Sequence, residues 1–355
     1  MTKMPVMLPR LPGYEKVAGY LAEMDSARVY ANDGALVKRL EARVAKHLNV
    51  TSSCVVATTS ATVAIQGAAT ISPEPVFNLP SFSFPAPAHG VANAGKRYRF
   101  VDSAEDTMDI SVHATGIEDG GVVDVRPFGA PVRVVENWTT REVIADAAAS
   151  LGRTDLDLKS LPPSWVVVFS LHATKPISAG EGGVAVFGDD ARADEFRKWI
   201  SFGFSGSRVS HSLGTNGKMS EMSAAYALAS LDAFPANVES SALRQFAQRT
   251  LEERHGLWGI SGVSPGAAPY WIVRFDSAAV AARFSDHLDA AGIESRFWWG
   301  SPCHRMEAFS QALPARQAPV TADFLAVTVL GLPNFPEMSR RDFKVLDRAI
   351  SEFES

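Results

Sequence analysis

The sequence predicts an α/β protein with a largely parallel sheet, and one recurring pattern carries most of this prediction. Short apolar runs recur along the first half of the chain, and helix-compatible or loop-like segments separate them. Buried strands of a parallel sheet have this composition because helices cover both of their faces. The runs occupy residues 53–60, 75–80, 98–102, 121–125, 143–146, 165–170 and 182–188.

Helical periodicity and chain length together predict the domain organisation. Leu36, Leu40 and Val44 recur at every fourth position in residues 34–48, which indicates an amphipathic helix. We expect further helices at 190–202, 220–234, 278–291 and 339–353, and Pro235 should end the second of these. A chain of 355 residues exceeds the usual size of one hydrophobic core. We therefore assign a large domain to residues 1–235 and a small C-terminal α/β domain to residues 236–355.

The composition, 46% hydrophobic and 21% charged residues, is typical of a soluble globular protein. A net charge of -5 argues against nucleic acid or an anionic membrane surface as a partner. No apolar run is long enough for a spanning helix, and the first residues lack the pattern of a signal peptide. The two cysteines, Cys54 and Cys303, match neither a disulfide framework nor a zinc site. We expect a cytoplasmic protein without a metal.

Two ionisable residues follow neighbouring strands of the predicted sheet. Asp146 ends one apolar run, and Lys175 comes shortly after the next. Open α/β sheets bind ligands at the carboxyl ends of their strands. A buried lysine can form a Schiff base, and a carboxylate beside a pyridine nitrogen keeps that ring protonated. Pyridoxal phosphate (PLP) needs these two residue types, although a structural ion pair or a solvated lysine would give the same pattern.

A hydroxyl-rich turn at residues 58–62 precedes a helix-compatible segment. Ser60, Ala61 and Thr62 could bind a phosphate through their N–H and hydroxyl groups, or they could simply cap the helix. The two interpretations are compatible, because an anion at a helix N-terminus completes the same cap. Phe84, next to Pro85, could stack on a cofactor ring or pack in a core or loop.

These segments, in this order, resemble the DegT/StrS family of sugar-nucleotide aminotransferases. Residues 32–34 resemble the family's Asn-x-Gly, residues 60–62 its Ser-Gly-Thr phosphate turn, and residues 80–84 its Pro-x-x-Thr-aromatic segment. The resemblance extends over almost the whole chain. It implies the aspartate-aminotransferase-like fold type I of PLP-dependent transferases, with a mostly parallel mixed sheet in the large domain. It also implies that Phe84 faces the cofactor ring.

The family resemblance also implies roles for residues near the expected cofactor. Residues 145–149 resemble the family's Glu-Asp-Ala-Ala-Gln, so Asp146 should pair with the pyridinium nitrogen. Ala149 stands where the family has a glutamine that hydrogen-bonds the phenolic oxygen. Residues 170–175 resemble Ser-Phe-x-x-x-Lys, so Ser170 should contact the phosphate and Lys175 should carry the cofactor. A dehydratase branch has histidine at the lysine position, and Lys175 therefore favours transamination.

Downstream segments resemble the parts of the family that complete the site. Residues 214–221 resemble its Gly-x-Asn-x-Arg-Met segment, in which the asparagine reaches the phosphate of the neighbouring subunit. Asn216 should then be a cofactor ligand across a homodimer, unless it is simply a turn residue. We expect Asn32, Arg296, Trp298 and His304 to contact substrate.

The resemblance implies a ping-pong transaminase that moves an amino group from glutamate to a nucleotide-linked keto-deoxy sugar. The 170–175 and 214–221 segments are most similar to members that aminate a dTDP-4-keto-6-deoxyhexose. A 3-keto sugar is the nearest alternative. A non-catalytic PLP-binding regulator and a small-molecule binding domain without PLP are alternatives from other functional classes.

Overall fold

The computed structural model describes residues 3–110, 117, 119–259 and 265–354. The helices are α1 Tyr14–Ala27, α2 Ala35–Leu48, α3 Ala61–Ile71, α4 Ala86–Asn93, α5 Asp190–Trp199, α6 Glu221–His255, α7 Ala278–Ala290, α8 Val320–Thr328 and α9 Arg340–Glu354. The strands are β1 Val55–Thr58, β2 Val76–Pro80, β3 Arg97–Val101, β4 Gly121–Val125, β5 Val143–Asp146, β6 Trp165–Ser170, β7 Gly183–Phe187, β8 Trp258–Gly259, β9 Trp271–Arg274 and β10 Val329–Leu332.

Seven strands form one mixed sheet in the order β1-β7-β6-β5-β4-β2-β3. Strands β6, β5, β4, β2 and β3 pair in parallel, whereas β7 pairs antiparallel with both β1 and β6. Each of the seven predicted apolar runs overlaps one strand of this sheet. The predicted α/β class with a mostly parallel mixed sheet is confirmed.

The sheet is buried on both faces, as its continuous apolar strands require. Within β6, Val167 and Phe169 belong to one buried cluster and Val166 and Val168 to the other. The first cluster includes side chains of α1, α2 and α6, and the second includes side chains of α3, α4 and α5. The residues at the strand ends can therefore approach a ligand while the strand centres stay in the core.

Three further strands form a second sheet in the order β10-β9-β8, with antiparallel pairing throughout. Residues of β9, β10, α7 and α9 form their own buried cluster, which includes Trp271, Phe284 and Leu346. The end of α6 contributes Leu251 to this cluster, whereas Leu228, near its start, belongs to the core of the large sheet.

The predicted helix end at Pro235 is wrong. Helix α6 continues through this proline from Glu221 to His255. A proline inside a helix removes one backbone hydrogen bond and costs about 3 kcal/mol. Here long helical segments on both sides pack against buried clusters, which offsets that cost. The division into domains 1–235 and 236–355 stays a prediction.

No helix in the described part of the chain is long and apolar enough to cross a membrane. The same residues contain no group of three or more histidine, cysteine, aspartate or glutamate side chains that could hold a metal ion. Cys303 is buried and Cys54 is half-buried, and both are free thiols.

Candidate active site

A cavity of about 390 Å³ opens at the carboxyl ends of β5 and β6, at the edge where open α/β sheets bind ligands. Nine of the residues predicted from the sequence line it, namely Ser60, Ala61, Thr62, Phe84, Asp146, Ala149, Ser170, Lys175 and Trp298. The structure therefore gathers side chains that are up to 238 positions apart in the sequence, since 298 minus 60 is 238.

Asp146 is the last residue of β5, and its side chain lies in this cavity. Only 7% of the residue is exposed, and its Oδ1 accepts a hydrogen bond from the N–H of Ala148 at 3.1 Å. Burial raises the pKa of the carboxyl to about 6, against the smaller opposing effects of the Ala148 N–H and the positive charge of Lys175. A cationic ring nitrogen next to this carboxylate would relieve that desolvation.

Lys175 lies in the loop after β6, and its side chain reaches the cavity. Its Nζ donates a hydrogen bond to the hydroxyl of Tyr270 at 2.8 Å and lies 5.4 Å from the centre of that ring. Tyr270 directly precedes β9 of the small sheet, whereas Lys175 follows β6 of the large one. This hydrogen bond therefore connects the two sheets across the cavity. No local sequence pattern marks Tyr270, so the sequence alone does not predict its place in the site.

The first turn of α3 forms another part of the cavity wall. Ser60 caps this helix by accepting a hydrogen bond from the N–H of Val63 at 3.2 Å, and the N–H groups of Ala61 and Thr62 lie in the same turn. First-turn N–H groups have no carbonyl partner within the helix, and they attract anions. Gly183 packs against this turn so closely that a Cβ there would lie 2.5 Å from the backbone nitrogen of Ala61.

Three other predicted cofactor residues contribute different chemistry. Ser170 ends β6 with a hydroxyl that accepts a hydrogen bond from the N–H of His172 at 3.2 Å. Phe84 is exposed at the cavity edge, where an aromatic ring could cover a flat ligand. Ala149 is buried and lines the cavity with a methyl group, so it offers no side-chain hydrogen bond.

Aromatic side chains form one wall of the cavity, and the sequence predicts only some of them as site residues. Phe128 and Trp299 stack with ring centres 4.5 Å apart and planes 18° apart. Tyr270 contacts Phe128 and Trp298 edge to face, at 5.7 and 5.2 Å. Phe128 adopts a left-handed backbone conformation, with φ at 52°. Such a conformation costs about 1–3 kcal/mol in a non-glycine residue, and the surrounding packing must hold it.

Arg126 and His172 are two polar residues of the cavity that the sequence did not single out. Arg126 is 5% exposed and forms ion pairs with Asp124 and, at 3.2 Å, with Asp109. Its Nε is buried without a hydrogen-bond partner in the described structure. His172 contacts the hydroxyl of Thr174 through Nδ1 at 2.9 Å. Both residues follow strand ends, which was the only sequence signal available.

Four predicted residues lie outside this cavity's lining. Asn32 and Asn216 are exposed, and Asn216 accepts a hydrogen bond from Lys218 at 2.8 Å. Arg296 pairs with Glu294 and lies 4.8 Å from the centre of the Trp298 ring, so it contacts a lining residue without lining the cavity itself.

His304 is the fourth of these residues. Its Nδ1 forms a hydrogen bond with the Ser81 hydroxyl, and its Nε2 lies 3.3 Å from Asp323. Burial lowers the pKa of the imidazole, against the opposing charge of Asp323. Ser81 is fully buried, so the Ser81, His304 and Asp323 arrangement holds a loop and offers no accessible nucleophile.

The donors and acceptors of the cavity fit pyridoxal 5′-phosphate. Asp146 presents a buried carboxylate with no guanidinium or ammonium hydrogen-bonded to it among the described residues. The α3 turn supplies N–H and hydroxyl groups for a phosphate, and Lys175 supplies an amine in the same cavity. Phe84 would cover a face of the ring.

Several curated proteins are similar to this chain, among them the following three. Protein Rv3402c of Mycobacterium tuberculosis (strain ATCC 25618 / H37Rv) is 27% identical over 99% of this chain and 90% of its own length. A dTDP-4-amino-4,6-dideoxy-D-glucose transaminase of Shigella dysenteriae is 27% identical over 64% of each chain. A dTDP-3-amino-3,4,6-trideoxy-alpha-D-glucose transaminase of Streptomyces venezuelae is 30% identical over 58% of this chain and 55% of its own.

Solved structures resemble this chain in fold. The structure of DesI in the presence of its TDP-sugar product is 28% identical to this chain, with a TM-score of 0.84 over 99% of this chain and 94% of DesI. A structure from Bacillus cereus ATCC 10987, described as that of a PLP-dependent aminotransferase, gives a TM-score of 0.88 at 19% identity, over 98% of this chain and all of its own. The likeness at 19% identity confirms the predicted fold.

The profile of the DegT/DnrJ/EryC1/StrS aminotransferase family matches residues 14–350, which is nearly the whole chain. This match confirms the predicted resemblance. Together with the fold, it shows that the protein is an enzyme and that its cofactor is pyridoxal 5′-phosphate. The chain belongs to the DegT/DnrJ/EryC1/StrS aminotransferase family.

Proposed function

We propose that this protein transfers the amino group of L-glutamate to the keto carbon of a nucleotide-linked deoxy sugar. The observation that carries the proposal is one cavity that holds Lys175, Asp146 and the first turn of α3 together. An amine, a buried carboxylate and an anion-binding turn are the groups that PLP-dependent transamination requires. When bound, PLP supplies an electron sink for the bond that breaks at the amine-bearing carbon.

Lys175 and Asp146 have different tasks in this proposal. The amine of Lys175 holds the cofactor before the donor arrives, then takes the proton from the α-carbon of the donor. In the second half of the reaction the same amine delivers a proton to the former keto carbon of the sugar. Asp146 keeps the ring nitrogen protonated, and its burial makes that pairing strong. Ser170, Ala61 and Thr62 would hold the phosphate.

We infer that the acceptor is a dTDP-4-keto-6-deoxyhexose. One similar protein is a dTDP-4-amino sugar transaminase, and the 170–175 and 214–221 segments favour amination at carbon 4. The aromatic wall formed by Phe128, Trp298 and Trp299 offers apolar surfaces for a deoxy sugar. A 3-keto sugar is the second candidate, because another similar protein is a dTDP-3-amino sugar transaminase.

We also propose a homodimer with shared active sites. Asn216 is exposed and absent from the lining of its own cavity, as a ligand for the neighbouring subunit's phosphate would be. The proposed substrate contacts of Asn32, Arg296 and His304 require a substrate that extends beyond the cavity described above. The cytoplasmic location stays a prediction.

A screen of keto sugars tests the proposed function. The PLP-loaded enzyme is incubated with ¹⁵N-labelled glutamate and dTDP-, UDP- or GDP-linked 3-keto and 4-keto sugars, and product mass is measured. We expect one ¹⁵N in the product from the dTDP-4-keto sugar. Incorporation only with a 3-keto sugar would select the second candidate, and no incorporation with any of the six would contradict the proposal.

Lys175→Ala separates catalysis from simple cofactor binding. The variant should lose amino transfer, whereas Lys159→Ala, which removes an exposed lysine, should keep the wild-type rate. A regulator that only binds PLP would leave glutamate unchanged in the wild-type protein. Measuring 2-oxoglutarate after a single turnover with glutamate alone therefore distinguishes an enzyme from such a regulator.

A further inference from the structure

A second cavity of about 300 Å³ lies on another side of the Lys175 loop. It lies between the N-terminal segment around Leu11, helix α6 and the loop after β10. Ala173, Thr174 and Lys175 line one side of it, so this cavity and the cofactor cavity share a wall. Nothing in the proposed chemistry uses its other residues.

Arg244 of α6 is the most unusual side chain in this second cavity. Only 8% of the residue is exposed, and every hydrogen bond of its guanidinium goes to a neutral group. Nη1 donates to the Ser240 hydroxyl at 2.6 Å and the Pro336 carbonyl at 3.4 Å, and Nε donates to the Asn334 side-chain oxygen at 3.4 Å. Nη2 donates to none of the described residues. A buried arginine normally has a carboxylate partner, because its desolvation is costly.

The rest of the lining adds positive charge and no negative charge. Arg10 and Lys16 line the cavity along with Arg244, and none of the described lining residues is acidic. The nearest acidic group, Glu337, is half exposed and pairs with Arg10 at 3.3 Å outside the lining. Burial lowers the pKa of Arg244 against the opposing charge of Glu337, so the folded chain only partly compensates this cation.

We propose that this cavity binds a small carboxylate ligand, anchored on the free Nη2 edge of Arg244. A planar guanidinium with an unused donor edge matches a carboxylate. Leu8, Leu11 and Phe335 give the cavity apolar walls that suit a short methylene chain, and exposed Lys16 can meet a second carboxylate at the mouth. The ligand class is therefore a dicarboxylate of four or five carbons. The site does not depend on the proposed sugar substrate.

Calorimetric titration of the PLP-loaded protein with succinate tests this site. We expect saturable binding with one site per chain, and about a tenfold or greater loss of affinity in Arg244→Met, because charge-assisted hydrogen bonds are removed. Arg341→Met, at an exposed arginine of α9, should bind as the wild type does. Absence of succinate binding to the wild type, or unchanged binding by Arg244→Met, would overturn the proposal.

Lys16→Met gives an independent test, because exposed Lys16 can be replaced with little risk to folding. Its affinity for succinate should fall by about two- to fivefold, as for an exposed charge, and an unchanged affinity of this variant would overturn the assignment of the ligand as a dicarboxylate. If sulfate binds as tightly as succinate, the cavity is a general anion site and not a carboxylate site. Competition by L-glutamate identifies the natural ligand. If glutamate displaces succinate, the site binds a carboxylate of the amino donor; if it does not, the site binds a separate dicarboxylate. The site stands in both cases.

Discussion

The amine of Lys175 donates a hydrogen bond to the hydroxyl of Tyr270 at 2.8 Å. Lys175 follows the large sheet and Tyr270 precedes a strand of the small one, so this bond fixes the reactive amine relative to both. Tyr270 is itself held by edge-to-face contacts with Phe128 and Trp298. Because a proton transfer needs the base at a defined distance from carbon, Tyr270 is a positioning residue for Lys175.

Tyr270→Phe should lower kcat by about tenfold, the effect of losing one hydrogen bond to an amine. The KM values for donor and acceptor should change little, because the ring and its packing remain. The isotope effect on kcat with α-deuterated glutamate should rise, since proton transfer would become more rate-limiting. Tyr98→Phe, at a buried tyrosine of β3, is the matched control and should behave as the wild type. An unchanged isotope effect would assign Tyr270 a purely structural role.

Asp146 should make the cofactor-free protein less stable as the pH rises. Burial raises its pKa to about 6, whereas an unfolded aspartate titrates near about 3.9. Between these values the folded state keeps a proton that the unfolded state releases. The associated stability is therefore fully present below the unfolded pKa and is lost as the pH passes about 6. Asp124, also buried with a pKa of about 6, adds to the same trend.

Asp146→Asn removes the part of this pH-dependent loss of stability that comes from Asp146. Without cofactor, the variant should be more stable than the wild type at pH 8 by up to roughly 3 kcal/mol, and the two should converge near pH 4. Urea unfolding at several pH values measures this. The same variant should bind PLP much more weakly, because amide replaces the charge facing the ring. Asp106→Asn, at an exposed position, should change neither property. If Asp146→Asn destabilises the protein equally with and without PLP, both the pH effect of the buried carboxylate and its contact with PLP are contradicted.

Local sequence patterns predicted much of the site, because its cofactor groups follow strand ends and a helix start. Asp146, Ser170 and the 60–62 turn each lie next to an apolar run that sets their position. Tyr270 could not be found in this way. It lies 95 positions from Lys175, and only the packing of the small sheet brings the two together. The predicted helix end at Pro235 is wrong for a related reason. Tertiary packing of the helix on both sides of the proline outweighs the loss of one backbone hydrogen bond.

Gly183 sets the space for the phosphate-binding turn. A Cβ at this position would lie 2.5 Å from the nitrogen of Ala61 and from the carbonyl carbon of Ser60, and both are backbone atoms, which can move only together with the helix start. Gly183→Ala should push the start of α3 away and weaken PLP binding by about tenfold or more, because strained core insertions cost about 1–3 kcal/mol. Equilibrium dialysis measures the affinity. Gly19→Ala, with nothing within 4 Å of the new Cβ, is the control, and an equal affinity for both variants would contradict this account.

Gly34 and Glu221 explain the Asn-x-Gly segment as a helix start. The buried carboxylate of Glu221 accepts hydrogen bonds from the N–H groups of Leu36 and Val37, at 2.8 and 3.1 Å, in the first turn of α2. Gly34 has an ordinary φ of -71°, so its need for glycine is purely spatial. A Cβ there would lie 2.6 Å from Cδ of Glu221. The preceding Asn32 and Asp33 turn the chain in the left-handed region.

This arrangement predicts a non-additive pair of substitutions. Gly34→Ala should destabilise the protein by about 1–3 kcal/mol through the clash, and Glu221→Ala by about 3 kcal/mol because two N–H groups lose a charged acceptor. The double variant should be less destabilised than the sum, because removing the carboxylate removes two of the three nearest contacts of the new Cβ and leaves only the one with Cγ1 of Val29, at 2.8 Å. Glu221→Gln keeps the side-chain shape, so its combination with Gly34→Ala should show no such relief. Urea unfolding of the three single and two double variants measures the coupling, and additive effects of Gly34→Ala and Glu221→Ala would show that the Cβ is accommodated elsewhere.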